Sequence, residues 1–81
     1  SLTDNKQAAI LAKKGLKRIQ NDDIDGGIAD LTRAWELNPD LSAAGVAIAM
    51  AYLNKKNYPL ALKTSKKLQK LYPEDPTGLT L

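Results

Sequence analysis

"LSAAGVAIAMAYL", residues 41–53, runs thirteen residues without a charge in a chain of which 26% is Asp, Glu, Lys or Arg. Asp40 stands before it, and Asn54, Lys55 and Lys56 follow. Three readings compete: a membrane segment, the centre of a small core, or a surface that awaits a partner. A bilayer span takes roughly 20 apolar residues, whereas a run of about 10–14 more often marks a buried helix. About half of the run is Ala, Gly and Ser, which contribute little transfer energy. The membrane reading fails, and a partner-facing helix of a small helical core remains.

The rest of the chain agrees. Eighty-one residues at 43% hydrophobic content make one small domain. Trp35, Tyr52, Tyr58 and Tyr72 are the only aromatics, and a core of Ala, Leu and Ile suits closely packed helices better than a β-sandwich. With no Cys and no His, disulfides, structural zinc and His-based acid–base chemistry are excluded. The lack of Cys fits cytosol and periplasm equally. Ser1-Leu2-Thr3 is followed by no basic-then-apolar pattern, so the start does not read as a signal peptide.

Apolar spacing predicts four helices and no strands. The first, about residues 4–20, places Ala8, Leu11, Ala12, Gly15, Leu16 and Ile19 on one face. Asp23 is a good N-cap for a second, about residues 24–37, which buries Ile24, Gly27, Ile28, Leu31, Ala34 and Trp35. Pro39 ends it, and Asp40 is expected to cap the third, residues 41–53. Asn57 is expected to cap the fourth, about residues 58–72, with Pro59 in its first turn, where a missing N–H costs nothing. Asp75-Pro76 reads as the start of a fifth helix over residues 74–81.

A shift of 34 residues carries Pro39 onto Pro73, Gly15 onto Ala49, Asp23 onto Asn57, Gly27 onto Ala61 and Ile28 onto Leu62. A helix–turn–helix period of about 34 residues with a terminal Pro marks tetratricopeptide repeats. The chain resembles that family over nearly its whole length. Ile48, Ala49, Tyr52, Ala61 and Pro73 fit its pattern in the second repeat, and Leu11, Gly15, Leu31, Ala34 and Pro39 in the first. Gly45, Ser65 and Leu68 replace the family's Trp, Phe and Ala, while Lys14 and Arg18 stand where Leu and Tyr belong. The resemblance implies an all-α solenoid of two repeats, about residues 6–39 and 40–73, cut from a longer array. More narrowly, "GGIADLTRAWELNPD", "AIAMAYLNKKNYPLAL" and "LYPEDPTGLTL" are similar to the repeat arrays of bacterial lipoproteins tied to exopolysaccharide export and PEP-CTERM sorting. That likeness implies a periplasmic scaffold; without it, a cytoplasmic setting is expected.

Little in the chain carries chemistry. Most of its nine carboxylates fall at helix starts or turns, where capping and the helix dipole explain them. "NDDIDGG", residues 21–27, lacks the ligand spacing and closing Glu of a calcium loop. Gly26-Gly27 has no phosphate-loop context. Neither catalysis nor a metal or cofactor is expected. Residues 41–73 hold six Lys and no acid. Lys63, Lys66, Lys67 and Lys70 form a stripe that is either a solvated face or a contact for polyanions, acidic proteins or lipid headgroups. Nucleic acid is disfavoured by the scarcity of Arg and aromatics.

The family's concave groove usually binds an extended peptide or a partner's helix, and by resemblance it would be lined here by Ala12, Leu16, Ile19, Val46, Met50 and Leu53, with Gln20 and Asn54 at the far edge. Lys, Arg and Asn, which clamp chaperone carboxylates in one subclass, are missing from its centre. The apolar side is covered by neighbouring repeats, by a bound peptide or helix, or by a second copy. Because about three repeats are needed for stability and none of these ends is capped, self-association is expected. The reading is thus a non-catalytic protein-interaction scaffold, with polyanion or membrane-surface binding as the first rival and a helical subdomain of a larger enzyme as the second. Small residues at the helix crossings also carry a prediction. Ala61→Leu should overpack the second crossing and cost about 1–3 kcal/mol; unchanged thermal stability would contradict the repeat reading.

Overall fold

The structure is a computed structural model that describes residues 1–73; the expected fifth helix lies outside the described residues. It is all-helical, with α1 at Leu2–Gln20, α2 at Ile24–Leu37, α3 at Ser42–Asn54 and α4 at Tyr58–Leu71. No strand occurs among the described residues. Helix α1 starts earlier than its apolar pattern suggests, because the Ser1 hydroxyl accepts from the Asp4 amide and caps the end.

The turns within each helical pair are made alike. After α1, Asp22 takes a left-handed conformation (φ 68°), and after α3 Lys56 does the same (φ 61°). The Asp22 amide donates to the Ile19 carbonyl at 3.0 Å, and that of Lys56 to Leu53 at 2.9 Å. The next amides, Asp23 to Arg18 and Asn57 to Tyr52, each donate at 2.8 Å. This is the Schellman pattern, in which a left-handed residue lets the chain satisfy the last free carbonyls of the helix. Asp23 and Asn57 then cap the following helices, accepting from the amides of Gly26 and Leu60. Every one of these donors and acceptors in the first pair lies 34 positions before its counterpart in the second.

The cap expected from Asp40 is not made. Leu41 is the N-cap of α3, and no side chain accepts there. The Asn38 carboxamide instead accepts from the Asp40 amide at 3.1 Å, forming a local turn that uses Asp40 as a turn residue and starts α3 at Ser42.

Helices α1 and α2 pack most closely, then α3 on α4; α2 on α3 joins the pairs, while α1 touches α3 lightly and the backbones of α2 and α4 stay apart. The first crossing is backbone on backbone. A Cβ at Gly15 would stand 2.9 Å from the Gly27 carbonyl oxygen, and one at Gly27 would stand 2.7 Å from that of Gly15. The second pair has Ala49 and Ala61 at the matching positions, both buried. Arg18 lies 3.1 Å from Asp23 and 3.0 Å from the largely buried Asp30 carboxylate, so ion pairs hold the α1–α2 junction. Asp30 Oδ2 has no aligned hydrogen bond among the described residues, and the guanidinium is its electrostatic compensation.

The core lies between the two pairs: Ile28, Leu31 and Trp35 of α2 meet Ala44, Ile48 and Ala51 of α3. The left-handed turn residues offer a check. A non-glycine residue there costs about 1–2 kcal/mol, partly cancelled by the greater chain entropy of unfolded Gly. Lys56→Gly should therefore stabilise the fold by about 0.5–1 kcal/mol, and Asp22→Gly by less because Asp tolerates this region. Urea unfolding midpoints for the two variants measure the difference.

Candidate functional site

Helix α3 touches all three other helices and is apolar on nearly every side, so candidate surfaces form along its flanks. The first is a furrow of about 270 Å³ between α1 and α3. It arises because these helices touch lightly and meet across the small side chains of Ala47 and Ala51. Leu16 and Ile19 wall it from α1, Met50 from α3, and Asn54 closes one end. No charged side chain lines it. Leu16 is 46% exposed and Met50 63%, large fractions for apolar residues flanking a concavity.

Of the six partner-binding residues expected from the sequence, the structure brings Leu16, Ile19 and Met50 to this furrow. Ala12 is half-buried and packs against the core cluster. Val46 and Leu53 are exposed apolar residues but do not line the furrow. The floor residues Ala47 and Ala51 were not singled out in the sequence. Their signal is the i, i+4 spacing of two small residues flanking Met50.

The second surface is a cleft of about 240 Å³ on a different face of α3, between α2 and α4. Trp35 and Thr32 wall it from α2, Lys63, Thr64 and Lys67 from α4, and Ile48 and Tyr52 lie beneath. It exists because α2 and α4 both pack on α3 while their backbones stay apart, so that only long side chains such as Trp35 and Lys67 reach across. The Trp35 indole is 95% buried and locked: its Nε1 donates to the Pro39 carbonyl at 3.3 Å and lies 3.5 Å from the Tyr72 hydroxyl. The ring fills the space above Gly45, where a Cβ would come within 2.6 Å of the indole and 2.7 Å of Leu68. The space beside Gly45 is thus filled by an indole from the preceding helix.

The lysine stripe divides at this cleft. Lys63 and Lys67 line it, and the Lys67 ammonium stands 4.4 Å from the centroid of the Trp35 ring. Lys66 and Lys70 are exposed and outside it. Among the described residues, no three His, Cys, Asp or Glu side chains converge as a metal site, and no helix is long and apolar enough to cross a membrane.

Comparison with family models, with curated proteins and with solved structures finds no match to the chain. The surfaces themselves therefore carry the functional argument.

Gly45 sets helix preference against packing. Alanine in a helix interior gains about 1 kcal/mol over glycine. Driving a methyl into the fixed indole and Leu68 costs about 1–3 kcal/mol. Gly45→Ala should be destabilising on balance, with Trp35 emission shifted to the red, and chemical unfolding followed by fluorescence reads both effects.

Proposed function

We propose that the chain is a non-catalytic interaction module made of two tetratricopeptide-type helix–turn–helix repeats, which takes an apolar peptide or helix of a partner protein between α1 and α3. The observation that carries this reading is the uncharged furrow flanked by exposed Leu16 and Met50. The repeat assignment is supported by the turn hydrogen bonds, which recur at a shift of 34 residues down to the left-handed residue and the cap.

The chemistry suits an apolar segment. Burying a side chain such as Leu or Met yields about 1.5–3 kcal/mol. Ala47 and Ala51 give the floor little side-chain entropy to lose, while the flexible Met50 side chain can adapt to guests of different shape. With no charge in the lining, recognition here rests on shape and apolar contact and should be nearly indifferent to salt. Polyanion binding would call for several cations on one accessible face, and the turn of Lys63 and Lys67 into the cleft weighs against it.

Peptides selected by display against the immobilised chain test the proposal. Met50→Glu would place an unpaired carboxylate in the furrow, a cost of several kcal/mol if it stayed charged and buried. The expected result is a loss of affinity of about tenfold or more, equivalent to about 1.4 kcal/mol, with unchanged helical circular dichroism. Binding that survives this substitution, or that disappears as salt is raised, would refute the furrow as the site.

A further inference from the structure

We infer that the cleft between α2 and α4 is a second binding site, distinct from the furrow, that accepts a monocarboxylate with a short apolar body. The lining divides into two chemistries. Trp35, Ile48, Tyr52 and Leu60 supply apolar and aromatic lining, and Lys63 and Lys67 bring two cationic side chains to it, the Lys67 ammonium 4.4 Å from the Trp35 ring centroid. The lysines are four residues apart on α4, so they lie one turn above the other on one face. Among the described residues, neither comes within ion-pair distance of a carboxylate, whereas Lys55, Arg18 and Arg33 all do.

A lone lysine on a helix surface is a poor site because ordering its long side chain costs entropy. Lys67 differs in that the Trp35 face already holds its ammonium. The indole is itself fixed through its N–H and by the wall at Gly45. An incoming carboxylate meets a cation that has been partly ordered before it arrives, the usual route by which pre-organisation raises affinity.

The size and shape select the ligand. At about 240 Å³ the cleft lies below the usual range for drug-sized molecules, and it suits one side chain or a small organic acid. Two cations over an apolar floor fit one anionic head on one apolar body. A polyanion would need further cations along the same surface, but Lys66 and Lys70 lie outside the lining. The carboxylate has two sources: a free organic acid, or the C-terminal residue of a peptide.

Hydrocinnamate is a suitable probe, with hydrocinnamyl alcohol as its uncharged counterpart, titrated into the chain and followed by amide-correlation NMR. Trp35 is the only tryptophan, so its indole N–H gives an unambiguous signal. Saturable shifts are expected at that resonance and at Thr32, Lys63 and Lys67, with the alcohol binding at least about fivefold more weakly, the scale of an exposed ion pair. Lys63→Gln and Lys67→Gln should each weaken the acid by a few fold while leaving the alcohol unchanged, and Lys67→Arg should restore binding. Acetyl-Gly-Phe and its C-terminal amide form the second arm: tighter binding of the free-acid peptide than of hydrocinnamate points to a peptide terminus, and the reverse order to a small acid. Equal affinity for acid and alcohol, wild-type affinity in the doubly substituted chain, or shifts confined to Leu16 and Met50 would overturn the inference. Because Met50→Glu lies outside this cleft, it should leave hydrocinnamate binding intact, which separates failure here from failure of the furrow.

Discussion

Everything that lies between the two helical pairs depends on Trp35 lodging against Gly45. Each pair has its own internal crossing, but a helical hairpin of some thirty-odd residues buries too little to stand alone. The pairs are joined mainly where α2 meets α3, with a light contact of α1 on α3. The indole is the largest side chain of that joint and touches more than its immediate neighbour, with Pro39, Tyr72, Lys67 and Leu68 at its edges and face. It thereby fixes where α4 stands relative to α2, and so the width of the cleft. By setting α3 against α2 it also decides how α3 lies beside α1, which sets the width of the furrow.

The turns make this arrangement reproducible from one pair to the next. Asp23 and Asn57 each do two things: their amides close the preceding helix and their side chains open the following one. Little freedom remains in the angle between the helices of a pair once both tasks are met. The exposed ion pair of Lys55 with Asp25 adds modestly, bringing a cation near the end of α3 to a carboxylate in the first turn of α2, both placed as the helix dipoles favour. Charge is thus spent at the turns, and the helix flanks are left to apolar contact.

Local chemistry was legible in the sequence and distant pairing was not. The caps at Asp23 and Asn57, the first-turn Pro59 and the small residues at Gly15 and Gly27 follow from short-range rules, and the structure has them all. Asp40 misled because two residues competed for the role of turn former. Asn38, two residues earlier, could satisfy the Asp40 amide with its own side chain, and that moved the start of α3. Gly45 was visible only as a missing Trp, since what fills its space comes from another helix. The cleft escaped for the same reason: Thr32 and Trp35 belong to one helical pair and Lys63 and Lys67 to the other, and only the packing of both on α3 makes them neighbours. In the furrow, Leu16, Ile19 and Met50 were expected from the resemblance together with Val46 and Leu53, and these two could not be separated from the rest without knowing how α3 is rotated.

The absence of charge from residues 41–53 now has a partial physical cause. A helix that meets α1, α2 and α4 buries much of its circumference, so packing alone accounts for Ala44, Ile48 and Ala51. It does not account for Val46, Met50 and Leu53, which are 47%, 63% and 52% exposed. Lys or Glu at those three positions would cost nothing in the core and would add solubility, as the exposed positions of α1 and α4 illustrate with Lys13, Lys17, Lys66 and Lys70. Scattered exposed apolar residues need no explanation, but three on one helix, with Leu16 facing one of them across a furrow, form a surface. Packing within the fold does not call for an apolar residue at any of the three, and the proposed apolar partner segment is what would make use of them.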